Sequence, residues 1–273
     1  MPRPRLKRRD HYVPQGYLRG FIDPSRVKHE QPLWHFDVGQ NVWSERSTRE
    51  VGYRIGFYDY ANANETLESA DTTFKGLENT FPLIRRELIS KNFENWNDHR
   101  DFLLCYMQMM RARSILFFEQ KYGEGKDLRA FVVEAVNPDG RSVKVRSMTP
   151  SALPDDLIKN WTITEMRTEI QKGATWLKEF DWALRRCQSV DDPFVSSESP
   201  LMIYGDGSSV EEFVQHPDSL LFFPLCWQAC LVGSRRSFDD KTDEFLHEDM
   251  SRFRRMYRQT AKLLLVSPKK LDL

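Results

Sequence analysis

The chain has 273 residues, with 40 lysines and arginines balanced by 40 aspartates and glutamates, so its formal net charge is zero. That balance excludes a protein whose whole surface is a nucleic-acid footprint, and the 12% aromatic content excludes a disordered chain. No apolar run approaches the roughly 18 residues of a membrane-spanning helix, so no membrane partner is expected.

Residues 1–9 carry Arg3, Arg5, Lys7, Arg8 and Arg9 with two prolines and read as a flexible basic arm. No apolar core follows them, so no secretory signal is expected. Residues 10–273 are expected to form a single α+β domain. The segment LWHFDVGQNVW (33–43) alternates and turns at Gly39, which predicts a β-hairpin. From Glu65 the period becomes helical, with Leu67, Ala70, Phe74, Leu77, Phe81, Ile84 and Leu88 on one face. Pro82 lies inside that run and is expected to kink it or start a new helix. A second helix is predicted from about Trp96 to Tyr122, apolar on most sides and therefore central.

After Gly125 the period falls to two, and two strand-like runs flank the turn Asn137-Pro138-Asp139-Gly140. Ser151 with Asp155 and Asp156 opens a helix running to about Gly173. WLKEFDWALRRC, FVSSESPLMIY, LLFFPL and QACLVGS then supply four strand candidates. A final helix is predicted from about Asp239 to Ser267, with Leu263–Leu265 on its apolar side. The expected architecture is a helical middle region with an N-terminal β-hairpin and a C-terminal mixed or antiparallel sheet closed by a helix.

The four cysteines predict little chemistry. Cys105 and Cys187 read as buried small hydrophobes. Cys226 and Cys230 (CWQAC) lack a second Cys/His pair at zinc-finger spacing. A reducing, cytoplasmic compartment is the expectation. His29, His35, His99, His216 and His247 form no ligand pattern, and there is no P-loop or Gly-x-Gly-x-x-Gly. Oligomeric state leaves no trace in the sequence.

Three places concentrate candidate chemistry. HYVPQGYLRGF (His11 to Phe21) sets a histidine, the side chain suited to proton transfer near neutral pH, among tyrosines, a glutamine and an arginine. Its structural alternative is an anchoring turn of Tyr12, Val13, Tyr17, Leu18 and Phe21. FVSSESPLMIY (194–204) places Ser196, Ser197, Glu198 and Ser199 at the mouth of a strand, where a plain polar turn is the alternative. Glu78 and Arg111 stand on the two long helices, and an inward arginine there needs an acid or an anionic ligand.

Together these segments resemble a family of mainly bacterial proteins, the domain of unknown function 4238. The resemblance rests on the opening His-Tyr-Val-Pro-Gln (His11 to Gln15), a Tyr-Leu pair and a Phe, the Trp-bearing hairpin and the Leu77-Glu78 step. It continues through Arg111-Ala112-Arg113, where the family has Arg-Thr-Pro, and Ser196-Ser197-Glu198-Ser199-Pro200, where it has Thr-Ser-Asp-Asn-Pro. Pro224-Leu225-Cys226-Trp227 stands where the family has Pro-Leu-Ser-Pro. The resemblance covers nearly the whole chain and implies no established reaction.

The expectation is that His11, Glu78, Arg111 and Glu198 converge from four distant parts of the chain. Such a set suits phosphodiester hydrolysis: acids hold a divalent metal or activate water, the histidine moves a proton, and the arginine stabilises phosphate charge. Tyr12, Gln15 and Ser197 are the accompanying substrate contacts. The expected function is nuclease-like, acting on nucleic acid or another phosphate-bearing ligand, with a role in bacterial defence by association with families of this kind. Two alternatives compete: a non-catalytic binding or interaction module, whose polar residues form a buried network, and a partner subunit that docks on nucleic acid through the basic arm.

Overall fold

A computed structural model describes residues 9–26, 32–61, 67–127, 134–136, 142–144, 155–187, 189–205, 210–238 and 247–272. The basic arm at 1–8, the Asn137–Gly140 turn, Ser151 and the acid-rich stretch from Asp239 lie outside them. Strand β1 (Arg9–His11) runs through Pro14 into the one-turn helix α1 (Gln15–Leu18). The predicted hairpin follows as β2 (Pro32–Asp37) and β3 (Val42–Ser47), and Asn41 takes the left-handed turn position at φ 54°. Asn tolerates that conformation better than most residues. Next come the short strands β4 (Tyr53–Ile55), β5 (Asp59–Ala61) and β6 (Leu67–Ser69), with β4 paired to β1 and β5 to β6. The helix expected from Glu65 therefore begins later, because Leu67 to Ser69 pair as a strand.

Helix α2 (Asp71–Ser90) runs unbroken through Pro82. A β-carbon on Gly16 of α1 would lie 2.9 Å from the Pro82 ring, so the bare glycine lets the proline seat against α1. The second long helix divides into α3 (Arg100–Ala112) and α4 (Ile115–Asp127). Ser114 makes the break: its hydroxyl accepts from the Phe117 amide at 3.2 Å, as an N-cap does at the third position of a new helix. Cys105 is exposed on α3, contrary to expectation, because Leu104, Tyr106 and Met107 take the buried positions around it.

Strands β7 (Glu134–Val136) and β8 (Ser142–Lys144) pair antiparallel, followed by α5 (Asp155–Gln171). The remaining elements are β9 (Asp181–Arg186), β10 (Ser196–Ser197), β11 (Met202–Tyr204), α6 (Val210–Gln215), β12 (Leu220–Cys226), β13 (Ala229–Ser234), α7 (His247–Thr260) and β14 (Leu264–Ser267). The last helix thus stops short of Leu264, and β14 is a wholly buried strand between β10 and β2. An apolar run of that length serves a central strand as well as a helix face, and periodicity alone does not separate the two.

The fold is α+β. Its larger sheets are antiparallel four-stranded arrays, β10-β14-β2-β3 and β11-β12-β13-β9. One core gathers α1, α2, α3 and β12, where the Phe81 and Tyr106 rings stack at 4.0 Å and Tyr17 packs on Phe223. A second lies under α7, centred on Phe222, Phe253 and Tyr257. Among the described residues no helix is long and apolar enough to cross a membrane.

Candidate functional site

His11 ends β1 opposite Tyr53 of β4, with the two rings 5.6 Å apart. Its imidazole is held by hydrogen bonds to the backbone of Arg49 and Thr48. Nε2 is buried and has no hydrogen-bond partner among the described residues, so the nitrogen that meets that backbone is Nδ1. A ring whose Nδ1–H donates to a carbonyl keeps the lone pair on Nε2, where a proton can be accepted. Burial, and then the positive charge of Arg113, lower the His11 pKa below its ordinary 6.5, which favours the neutral base.

Arg113 sits in the break between α3 and α4, with its side chain 1% exposed. It forms an ion pair with Glu78 of α2 and donates to the main-chain carbonyl of His11. Its Nε donates to the Tyr58 hydroxyl at 3.3 Å, and that hydroxyl donates back to the Arg113 carbonyl at 2.9 Å. The guanidinium also lies 4.7 Å over the Phe74 ring. A buried charge needs such partners, since the low dielectric penalises it otherwise. Around this group opens a cleft of about 430 Å³ bordered by His11, Gln15, Glu78 and Arg113, with Asp71 and the arginines Arg9 and Arg19.

Of the four expected catalytic residues, His11 and Glu78 meet at this cleft, and the other two do not. Arg111 binds Glu169 of α5 at 2.8 Å between the Phe117 and Trp176 rings, beside a separate cavity of about 620 Å³. The expected Glu78–Arg111 pair is thus replaced by Glu78–Arg113 and Glu169–Arg111. Two steps along a helix turn the side chain by about 200°, so Arg111 and Arg113 face opposite sides. Glu198 is fully buried, and its carboxylate accepts the Lys262 amide at 2.6 Å and the Leu264 amide at 3.1 Å. It ties the end of α7 and the start of β14 to β10.

Gln15 borders the cleft, whereas the other two expected contacts do not. Tyr12 is buried edge-on against Phe57 at 6.1 Å, and burial pushes its phenol up to about 12. Ser197 is buried and turns back on Ser199, accepting its amide at 3.2 Å and donating to its carbonyl at 3.0 Å. Arg113, Asp71 and Tyr58 were not singled out from the sequence. The usable signal for Arg113 was Ser114, a helix-starting residue inside an otherwise helical run.

Among the described residues no three His, Cys, Asp or Glu side chains are grouped so as to hold a metal ion. Cys226 and Cys230 are buried on adjacent strands, and burial raises both thiols, so each is a neutral packing group.

Residues 9–262 match the family described as protein of unknown function (DUF4238). The chain belongs to that family. No curated protein and no solved structure matches it. In this DUF4238 protein the His-Tyr-Val-Pro-Gln segment divides its work by position: Tyr12 and Val13 anchor it in the core, while His11 and Gln15 border the cleft. Pro14 stands at the N-cap of α1 with an extended backbone, and its ring pre-sets the turn. Tyr17 then locks α1 to the distant sheets, donating to the Pro224 carbonyl at 2.7 Å and meeting the Ser196 hydroxyl at 2.9 Å. Buried Arg85 of α2 donates to the Gly16 and Tyr17 carbonyls at 2.8 and 3.1 Å, which holds α1 from the other side. The motif is therefore an anchor whose first residue borders a polar cleft.

Proposed function

We propose that the His11 cleft binds a phosphodiester and hydrolyses it, a nuclease-type reaction. The observation that carries this reading is the buried Nε2 of His11, without a hydrogen-bond partner among the described residues, beside a cleft rimmed by Arg9 and Arg19. Nε2 takes a proton from a water that attacks phosphorus. The new P–O bond forms as the ester P–O bond breaks, the leaving alkoxide takes a proton from solvent, and Nε2 gives its proton back to solvent. The products are a phosphomonoester and an alcohol. Arg9 and Arg19 offset charge on the non-bridging oxygens, while Glu78 and Tyr58 hold Arg113 so that its guanidinium positions the His11 backbone.

The fit to a metal-dependent route is poor, because Glu78 is engaged by Arg113 and no cluster of three ligands is present among the described residues. The roles above therefore fall on the protein's own side chains.

A second reading has its own support. The near-complete burial of Arg113, with partners on α2, β1 and Tyr58, suits a structural network in a binding or interaction module. Turnover of bis(p-nitrophenyl) phosphate and of single-stranded nucleic acid, measured on the full chain and on His11→Ala, separates the two. A hydrolase gives turnover that falls by about 10²–10⁴-fold in the variant, with the melting temperature retained. No turnover in the parent, together with several degrees lost in His11→Ala, overturns the enzyme reading.

A further inference from the structure

A second cavity adjoins the polar cleft. It encloses about 550 Å³, within the roughly 300–1,000 Å³ range of small-molecule sites. Its walls differ sharply from those of the cleft, with Ile22, Pro82, Ile89 and Trp227 supplying apolar and aromatic surface. Arg19 and Pro82 border both cavities, so one ligand passing that pair touches the two.

Trp227 is held in place by its backbone, whose amide donates to the Gly20 carbonyl at 3.0 Å. Gly20 permits this approach: a β-carbon there would lie 2.9 Å from the Arg85 guanidinium and 3.1 Å from both Cys226 Cβ and the Leu225 carbonyl. The aromatic wall thus stands fixed against the segment that carries His11 and Arg19.

We infer that this pocket is the base subsite of a nucleotide whose phosphate occupies the His11 cleft. The inference rests on the phosphate-binding reading above and narrows its ligand class. A flat heterocycle stacks on an indole irrespective of base identity. The side-chain amide of Gln228 and the guanidinium of Arg86, both in the pocket lining, suit the polar edge of such a ring. An acyl chain uses none of those polar groups, so a lipid phosphate is disfavoured. The rim arginines complement the phosphate.

Calorimetric titration of the full chain with adenosine monophosphate, ribose 5-phosphate and inorganic phosphate tests it. The variant is Ile89→Glu, chosen because Ile89 is 42% exposed and its replacement leaves the core intact. Adenosine monophosphate is expected to bind about tenfold or more tightly than ribose 5-phosphate, the size of one stacked base. Ile89→Glu is expected to erase that difference while leaving ribose 5-phosphate binding unchanged. Equal binding of the two phosphates overturns the base subsite and leaves the phosphate-binding reading standing. Binding of none of the three overturns both.

Discussion

Arg113 and Glu78 form an ion pair at the border of the cleft, with the cationic side chain almost wholly buried and the anionic one 21% exposed. Through the His11 carbonyl the same guanidinium is fastened to β1. The first strand, the middle of α2 and the α3–α4 break are therefore held by one side chain.

Removing either partner is expected to be expensive. Arg113→Met leaves Glu78 without its partner, and Glu78→Gln leaves a buried guanidinium short of an anion, each costing about 3–5 kcal/mol. Arg113→Lys is expected to fail as well, because an ammonium cannot reproduce the fork of contacts to Glu78, Tyr58 and the His11 carbonyl. Urea unfolding of the single variants and of the Arg113→Met/Glu78→Leu double variant checks this. The double variant is expected to lose less than the sum of the singles.

His11 makes stability depend on pH in a defined direction. Its folded pKa lies below the ordinary 6.5, so the unfolded chain binds the proton more readily. Above about 6.5 the stability is complete, and it falls with pH between 6.5 and the lower folded value. His35, lowered by burial as well, contributes in the same direction. Denaturant midpoints from pH 8 to 5 are expected to decline less steeply in His11→Gln than in the parent. Under the hydrolase reading, turnover survives below pH 6.5 and falls as Nε2 becomes protonated.

Glu198 is expected to affect stability without affecting the cleft. Glu198→Ala strands the buried Leu264 amide and the part-buried Lys262 amide and should cost about 3 kcal/mol. Glu198→Asp restores the acid found in the resembling family but shortens the reach by one methylene. It should cost about 1 kcal/mol, since the Lys262 and Leu264 amides are spaced for the longer side chain. Thermal unfolding alongside phosphodiesterase assays checks both, with turnover per folded molecule unchanged.

Tyr17→Phe deletes a hydroxyl that joins α1 to β12 and β10. The Pro224 carbonyl and the Ser196 hydroxyl lose a buried partner, for an expected loss of about 1–3 kcal/mol. A double-mutant cycle with Ser196→Ala, read by urea unfolding, is expected to show coupling between two residues 179 positions apart in sequence.

Features governed by short-range chemistry were legible in the sequence by itself. The hairpin at 33–43, the helix α5 and the change from helical to strand period after Gly125 follow from the spacing of apolar residues, which acts over a few positions. The His11–Gln15 segment stood out for the same reason, as an unusual cluster of side chains within one turn.

What tertiary structure decided is every question of partner. Arg111 and Arg113 look equivalent in a run of two arginines separated by alanine, yet the end of α3 turns one toward Glu169 and the other toward Glu78. Glu198 looks like a candidate acid at a sheet mouth, and it is spent on two backbone amides, one at the start of β14 and one in the link between α7 and β14. Leu264 and Leu265 matched a helix face until β10 and β2 supplied strands on either side. Local periodicity encodes which residues turn inward. The identity of what they meet depends on contacts between segments far apart in the chain, and no spacing along the sequence carries that information.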